Sequence, residues 1–188
     1  MKRSRTIRGE TLMRALIAFL GLFLLSAFGS PAPHFATALQ EHSYTSPKVD
    51  YVVDFPSATW KLVDEPDEVH QHTEFVYGDR NDGYLRIRKE ALEEGTTVKD
   101  FAHRDQDQRT RFLPGFVDGP KQDPFSGRLS GVTLSYEYTQ AGKPMAGRTY
   151  YLQSDSRTVY VLRFTGLRDK LLRIRNQTDL IARSLKMK

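Results

Sequence analysis

The hydrophobic pattern changes period at Gly166, and the rest of the chain is read outward from that change. Before it, Tyr150 and Leu152, then Val159, Val161 and Phe164, supply the β-branched, aromatic and aliphatic types that suit a half-buried pleated surface. Residues 154–157 (SDSR) separate the two runs, and short polar side chains that bond their own backbone make a turn there. The second run is apolar apart from Arg163, which predicts a strand near the centre of a sheet, covered on both faces. After Gly166, Leu167, Leu171, Ile174, Ile181 and Leu185 recur in steps of three and four, with Thr178 filling the gap. That stripe predicts one long amphipathic helix lying on the sheet against Val161 and its neighbours.

The same reading extends upstream. Residues 50–55 (DYVVDF) form a first strand ended by Pro56, and Trp60 to Val63 a second. Strands are expected over 73–77 and 84–92, joined by a turn through Gly78 and Gly83. In the later of these, Leu85 and Ile87 alternate with Arg86 and Arg88, which predicts one buried face and one wet face. Thr97, with Asp100 three residues on, starts a helix whose thin apolar stripe is Val98, Phe101, Ala102 and Phe112, stopped by Pro114-Gly115. Within it, Asp105 and Arg109 make an i,i+4 ion pair on a face read as wet. Residues 129–138 and 145–153 make a hairpin around Gln140-Ala141-Gly142-Lys143. The fold class is therefore α+β.

Composition changes the picture at the amino terminus. Lys2, Arg3, Arg5, Arg8 and Arg14 precede a 14-residue apolar run, residues 15–28, and Ala36-Thr37-Ala38 is a small-x-small cleavage pattern. Residues 1–38 thus read as a signal-peptide helix, residues 39–47 as a flexible leader and residues 48–188 as the folded domain. The apolar run is shorter than the roughly 20 residues that span a bilayer, so no stable transmembrane span is expected after signal removal. Export to the periplasm or outside the cell follows; the alternative is a chain left anchored at its amino terminus.

The formal charge of +5 belongs mostly to that leader, and the remainder is close to neutral, which excludes nucleic acid as an expected partner. An internal asymmetry remains. Residues 39–127 hold 11 basic and 18 acidic groups, residues 128–188 hold 12 and 4. If the two halves interleave in one sheet they neutralise each other; otherwise Arg168, Arg173 and Arg175 offer a basic helix face to an anionic lipid or ligand. The chain has no cysteine, and a domain of about 150 residues buries about 68–70% of its unfolded surface without needing disulfides.

Phe55-Pro56 followed by Trp60, Gly127 and Gly131 ahead of Tyr136 and Tyr138, the Tyr150-Tyr151 hairpin, Phe164-Thr165-Gly166 and the terminal Ala182-Arg183-Ser184-Leu185 together resemble the PsbP-like family. That family shares its architecture with bacterial DcrB-type periplasmic proteins and the nuclear Ran-binding Mog proteins. The resemblance spans residues 48–186. It implies an antiparallel sheet flanked by helices on both faces, an α-β-α sandwich, and proteins that are usually not enzymes.

Candidate chemistry is sparse. His70 and His72 flank one residue of a strand start, and with a nearby acid they are candidate Zn²⁺ or Cu²⁺ ligands, though two imidazoles leave the set incomplete. Tyr136, Tyr138 and Tyr150 are candidates for an open groove between sheet and helix, and Trp60 for a ligand platform, with ordinary core the favoured reading for all four. No G-x-S-x-G, H-E-x-x-H, P-loop or cysteine nucleophile is present, so no enzyme and no cofactor is expected. The function expected is that of an exported accessory protein binding a partner in the cell envelope, with a small-molecule or metal carrier as the alternative.

Overall fold

A computed structural model describes residues 42–120 and 122–188 of the 188-residue chain. The signal-peptide reading of residues 1–38 lies outside the described residues.

The centre of the fold is β10 (Thr158–Leu167), as expected from an apolar run broken by Arg163 alone. It lies antiparallel between β5 (Asp79–Ala91) and β9 (Lys143–Asp155). Outward from β5 come β4 (His72–Tyr77) and the edge strand β3 (Trp60–Asp64). Outward from β9 come β8 (Ser130–Gln140), then β6 (Val117–Asp118), while β7 (Asp123–Ser126) also pairs with β8. All the pairings are antiparallel. The β8–β9 hairpin turns at Ala141 and Gly142, both at positive φ (49° and 75°), as a two-residue turn matched to strand twist requires.

Alternation on the central strand sorts the core into two faces. Tyr160, Leu162 and Phe164 cluster with Leu171, Ile174, Ile181 and Leu185, whereas Val159 and Val161 cluster with Ala102, Val98 and Phe101. The carboxy-terminal stripe is therefore buried, but against Leu162 and Phe164 and not against Val161, which points to the opposite side. The expected single long helix is two, α2 (Arg168–Arg173) and α3 (Arg175–Ser184), parted at Ile174, whose backbone (φ −98°, ψ 10°) leaves helical geometry. Leu171, Ile174, Thr178 and Ile181 all remain buried through the break. It sends α3 across β2 (Tyr51–Phe55), where the Ser184 hydroxyl bonds the Asp54 N–H at 2.9 Å.

β2 belongs to a second sheet of three strands, with β1 (His42–Tyr44) on one side and β11 (Lys186–Met187) on the other. Part of the stretch read as a flexible leader is thus strand. Its polar sequence hid that, because β1 gains its order from backbone pairing with β2 and from Tyr44, whose ring meets Phe75 edge-on at 5.0 Å.

The helix α1 (Val98–Arg109) starts where expected. Thr97 is its N-cap, accepting from the Asp100 N–H at 3.1 Å. Replacing Thr97 with Ala should cost about 1 kcal/mol of stability, measured as a lower urea midpoint at unchanged slope. Phe112, expected on the buried stripe, is 83% exposed, because the helix ends three residues earlier. No helix among the described residues is long and apolar enough to cross a membrane.

Candidate functional site

A groove of about 160 Å³ opens where α2 and the start of α3 pass over β8 and β9. Leu171 and Leu172 form one wall, Ala146 and Arg148 the other, and Arg175 stands at the mouth. Strand alternation sets this lining. Ala146 and Arg148 lie on the same face of β9 as Tyr150, and that face looks toward α2 and α3.

Arg148 is held rather than free. Its guanidinium donates to the Tyr150 hydroxyl (2.6 Å), Ser135 Oγ (3.2 Å) and Asp179 Oδ1 (3.0 Å). Burial works against its charge, yet Tyr150 and Asp179 hold its pKa above the ordinary arginine value. Tyr150 in turn donates to Asp179 Oδ1 at 2.6 Å and lies 2.8 Å from Thr178 Oγ1. Burial first, and Asp179 second, push the Tyr150 phenol far above its usual value, so it remains a neutral donor. The polar groups of the groove floor are therefore spent on one another, and none is a nucleophile standing beside a free base.

Most basic residues of this face are also paired. Arg168 meets Glu137 (3.2 Å), Lys170 meets Asp82 (3.2 Å) and Arg173 meets Asp169 (3.5 Å). Lys170–Asp82 and Arg163–Asp105 (2.9 Å) join the basic and acidic halves of the sequence, which is how the charge asymmetry is absorbed. Arg175 is exposed and forms no ion pair among the described residues. Leu172 beside it is 60% exposed.

Of the residues expected to make a surface, only Tyr136 and Arg175 border the groove. Trp60 is a core plug, 6% exposed, with its indole N–H donated to Gln177 Oε1 at 3.0 Å. Tyr136, Tyr138 and Tyr150 are all buried and do not share a cleft. The β8–β9 register pairs Tyr136 with Gly147 and Thr133 with Tyr150, so Tyr136 and Tyr150 point to opposite faces. Tyr136 fills the space left by Gly147, where any Cβ would come 2.1 Å from its ring, and stacks on Phe116 at 5.8 Å. Arg148, Leu172 and Ala146 carried no signal beyond their types; only the strand register brings them together.

His70 and His72 lie with ring centroids 5.7 Å apart. His72 Nε2 sits 3.0 Å from Glu74 Oε1, and His70 Nδ1 sits 3.5 Å from Asp67. Glu74, the nearest additional ligand, already accepts from Arg80 and Arg86. Among the described residues no three His, Cys, Asp or Glu side chains are arranged to hold a metal ion.

Comparison with known proteins finds likeness in structure alone. No family model and no curated protein matches the chain. Among solved structures, LpqN, described as involved in cell envelope biogenesis of Mycobacterium tuberculosis, aligns with a TM-score of 0.55 and 20% identity over 79% of this chain and 91% of its own. Cyanobacterial PsbP (CyanoP) from Synechocystis sp. PCC 6803 aligns at 0.54 and 14% over 86% and 99%. A mutant of the protein Mog1 aligns at 0.56 and 7% over 78% and 95%. The described domain thus has the PsbP-like fold, a mostly antiparallel sheet with few helices.

Proposed function

We propose that the chain is a non-enzymatic accessory protein of the cell envelope, exported by residues 1–38, that holds a segment of a partner protein in the groove between α2 and the β8–β9 hairpin. One observation carries the reading: an apolar groove with an exposed Leu172 on its wall and, beside it, an exposed Arg175 that forms no ion pair among the described residues. A short apolar segment carrying one acidic residue would bury the leucine and pair the arginine. The volume of this groove favours a partner segment over the small-molecule alternative. Pockets for small molecules run to about 300–1,000 Å³, and this groove is smaller and open. On this reading the domain is an α-β-α sandwich, α1 on one face of the sheet and α2 and α3 on the other, and the groove is the gap at the edge of the second helical layer. The involvement of LpqN in cell envelope biogenesis supports the compartment.

The test is saturable capture from envelope extracts at physiological salt by the full-length protein. Leu172→Asp and Arg175→Glu, both at exposed positions, should each weaken capture about tenfold while leaving the fold intact. Equal capture by wild type and both variants would place the partner elsewhere.

A further inference from the structure

The sheet face that carries α1 is only partly covered by it. The helix packs on β8 and β9, and its apolar residues reach Val159 and Val161 of β10. Beyond β10 the same face continues onto β5 and β4 with charged side chains. One row across the strands reads Arg163, Arg86, Glu74, and the next reads Val161, Arg88, His72. Arg163 and Arg86 are directly opposed, an arrangement that is unfavourable for like charges without a counter-ion. A cavity of about 360 Å³ lies over these rows, lined by Arg86, Arg88, Arg109 and Arg163 and by one acidic residue, Glu90.

The fixed acids beneath do not balance the arginines. Asp105 accepts from Arg88, from Arg163 (2.9 Å) and from the Tyr151 hydroxyl (2.9 Å), and makes an ion pair with Arg109 at 2.9 Å. Those four partners fill a carboxylate's acceptor positions, which number about four. Glu74 is taken by Arg86 (2.8 Å), Arg80 (3.3 Å) and His72 (3.0 Å). Glu90 meets Arg88 at 2.9 Å and Arg109 at 3.6 Å. Four guanidiniums around the cavity therefore face three carboxylates, one of which, Glu74, is also shared with Arg80. Donors are in surplus as well: Arg163 spends one nitrogen on Asp105, and its Nε is buried with no acceptor. Charge and hydrogen bonding are both short of the same thing, an acceptor-only group with negative charge.

We propose that this cavity binds a small oxyanion, a carboxylate or phosphate group held by the guanidinium N–H groups that Arg86, Arg88 and Arg163 do not spend on Glu74, Asp105 and Glu90, and closed over by Arg109. Guanidinium forks match both anions bidentately. The site is separate from the groove between α2 and the β8–β9 hairpin and does not depend on that groove's function.

Calorimetry on the full-length protein at low salt tests it, with inorganic phosphate and with malonate as probes and chloride at equal ionic strength as the control. At least one probe should bind saturably with a dissociation constant on the order of 0.1–1 mM, and chloride should not. Arg163→Gln risks the fold, because it strips a donor from the buried Asp105. Arg86→Gln and Arg109→Gln are safer, their side chains being 44% and 53% exposed. Each should weaken binding about tenfold without lowering the melting temperature by more than a few degrees, and Leu172→Asp should leave binding unchanged. Absence of saturable binding by both probes, or equal affinity in both arginine variants and wild type, would overturn the proposal.

Discussion

Asp105→Ala should destabilise the domain by about 3–5 kcal/mol, the range for breaking a buried ion pair by removing one partner. Asp105 is 5% exposed and is the common partner of Arg88, Arg109 and Arg163, with the Tyr151 hydroxyl completing its shell. Arg109 can swing into water, since its side chain is 53% exposed. Arg88 and Arg163 cannot follow, at 10% and 19%. Truncation would leave two nearly buried cations side by side on adjacent strands, with the Tyr151 hydroxyl also without its acceptor. The cost comes from what remains, not from what is lost. Hence Asp105→Leu combined with Arg88→Met and Arg163→Met should regain much of the stability, because apolar replacement of a whole buried ionic group is often neutral or better. Asp107→Ala, two residues along on the other side of the helix and 54% exposed beside Arg111, should cost under about 1 kcal/mol. Urea midpoints of the four proteins decide it. If Asp105→Ala loses no more than Asp107→Ala, the guanidiniums are hydrated and the cluster is not a buried network.

The same cluster shows where sequence reading succeeds and where it stops. Apolar periodicity located β10 and the α2–α3 stripe, and the Thr97–Asp100 cap the start of α1, because each depends on residues close in sequence. The alternation of Leu85 and Ile87 with Arg86 and Arg88 was correctly read as two faces, but the second face is not simply wet. Arg88 lies under α1, paired with Asp105 from the helix. The i,i+4 contact of Asp105 and Arg109 was legible, yet it forms at a buried position. A single arginine inside an otherwise apolar central strand, Arg163, was the available clue that a charge waited across the layer. Its partner, 58 residues away, is fixed only by how α1 lies on the sheet.

The tyrosines failed differently. Tyr136, Tyr138 and Tyr150 looked alike as a cleft lining because composition does not record which face of a strand a residue occupies. Register does, and register here depends on the turn at Ala141 and Gly142. The groove inherits the same limit. Its walls come from β9 and from a helix break at Ile174 that the regular stripe concealed, since Leu171, Ile174 and Thr178 keep helical spacing through it.

Buried phenols also make the domain sensitive to alkali, and cooperative unfolding is expected between pH 10 and pH 12. Burial raises the Tyr136 hydroxyl from 10.0 to about 12. Tyr44 is raised to about 12 as well, by burial and then by its bond to Glu65. Burial pushes Tyr51, Tyr150, Tyr151 and Tyr160 higher still, with carboxylates beside the last three adding to it. Folded-state values above the unfolded value mean that the native state holds these protons more tightly. The stability they represent is complete below pH 10 and is lost as pH rises toward the folded values. A shift of one pH unit is worth about 1.36 kcal/mol, so Tyr136 alone removes roughly 2–3 kcal/mol by pH 12. Several such groups exceed a net stability of about 5–15 kcal/mol. Phenolate absorbance and far-ultraviolet circular dichroism should therefore change together in one transition. Tyr136→Phe removes one titrating group and keeps the ring against Phe116, so it should raise the alkaline midpoint with little change at neutral pH. Phenolates titrating near pH 10 with the circular dichroism intact would mean that these hydroxyls reach water in the native fold.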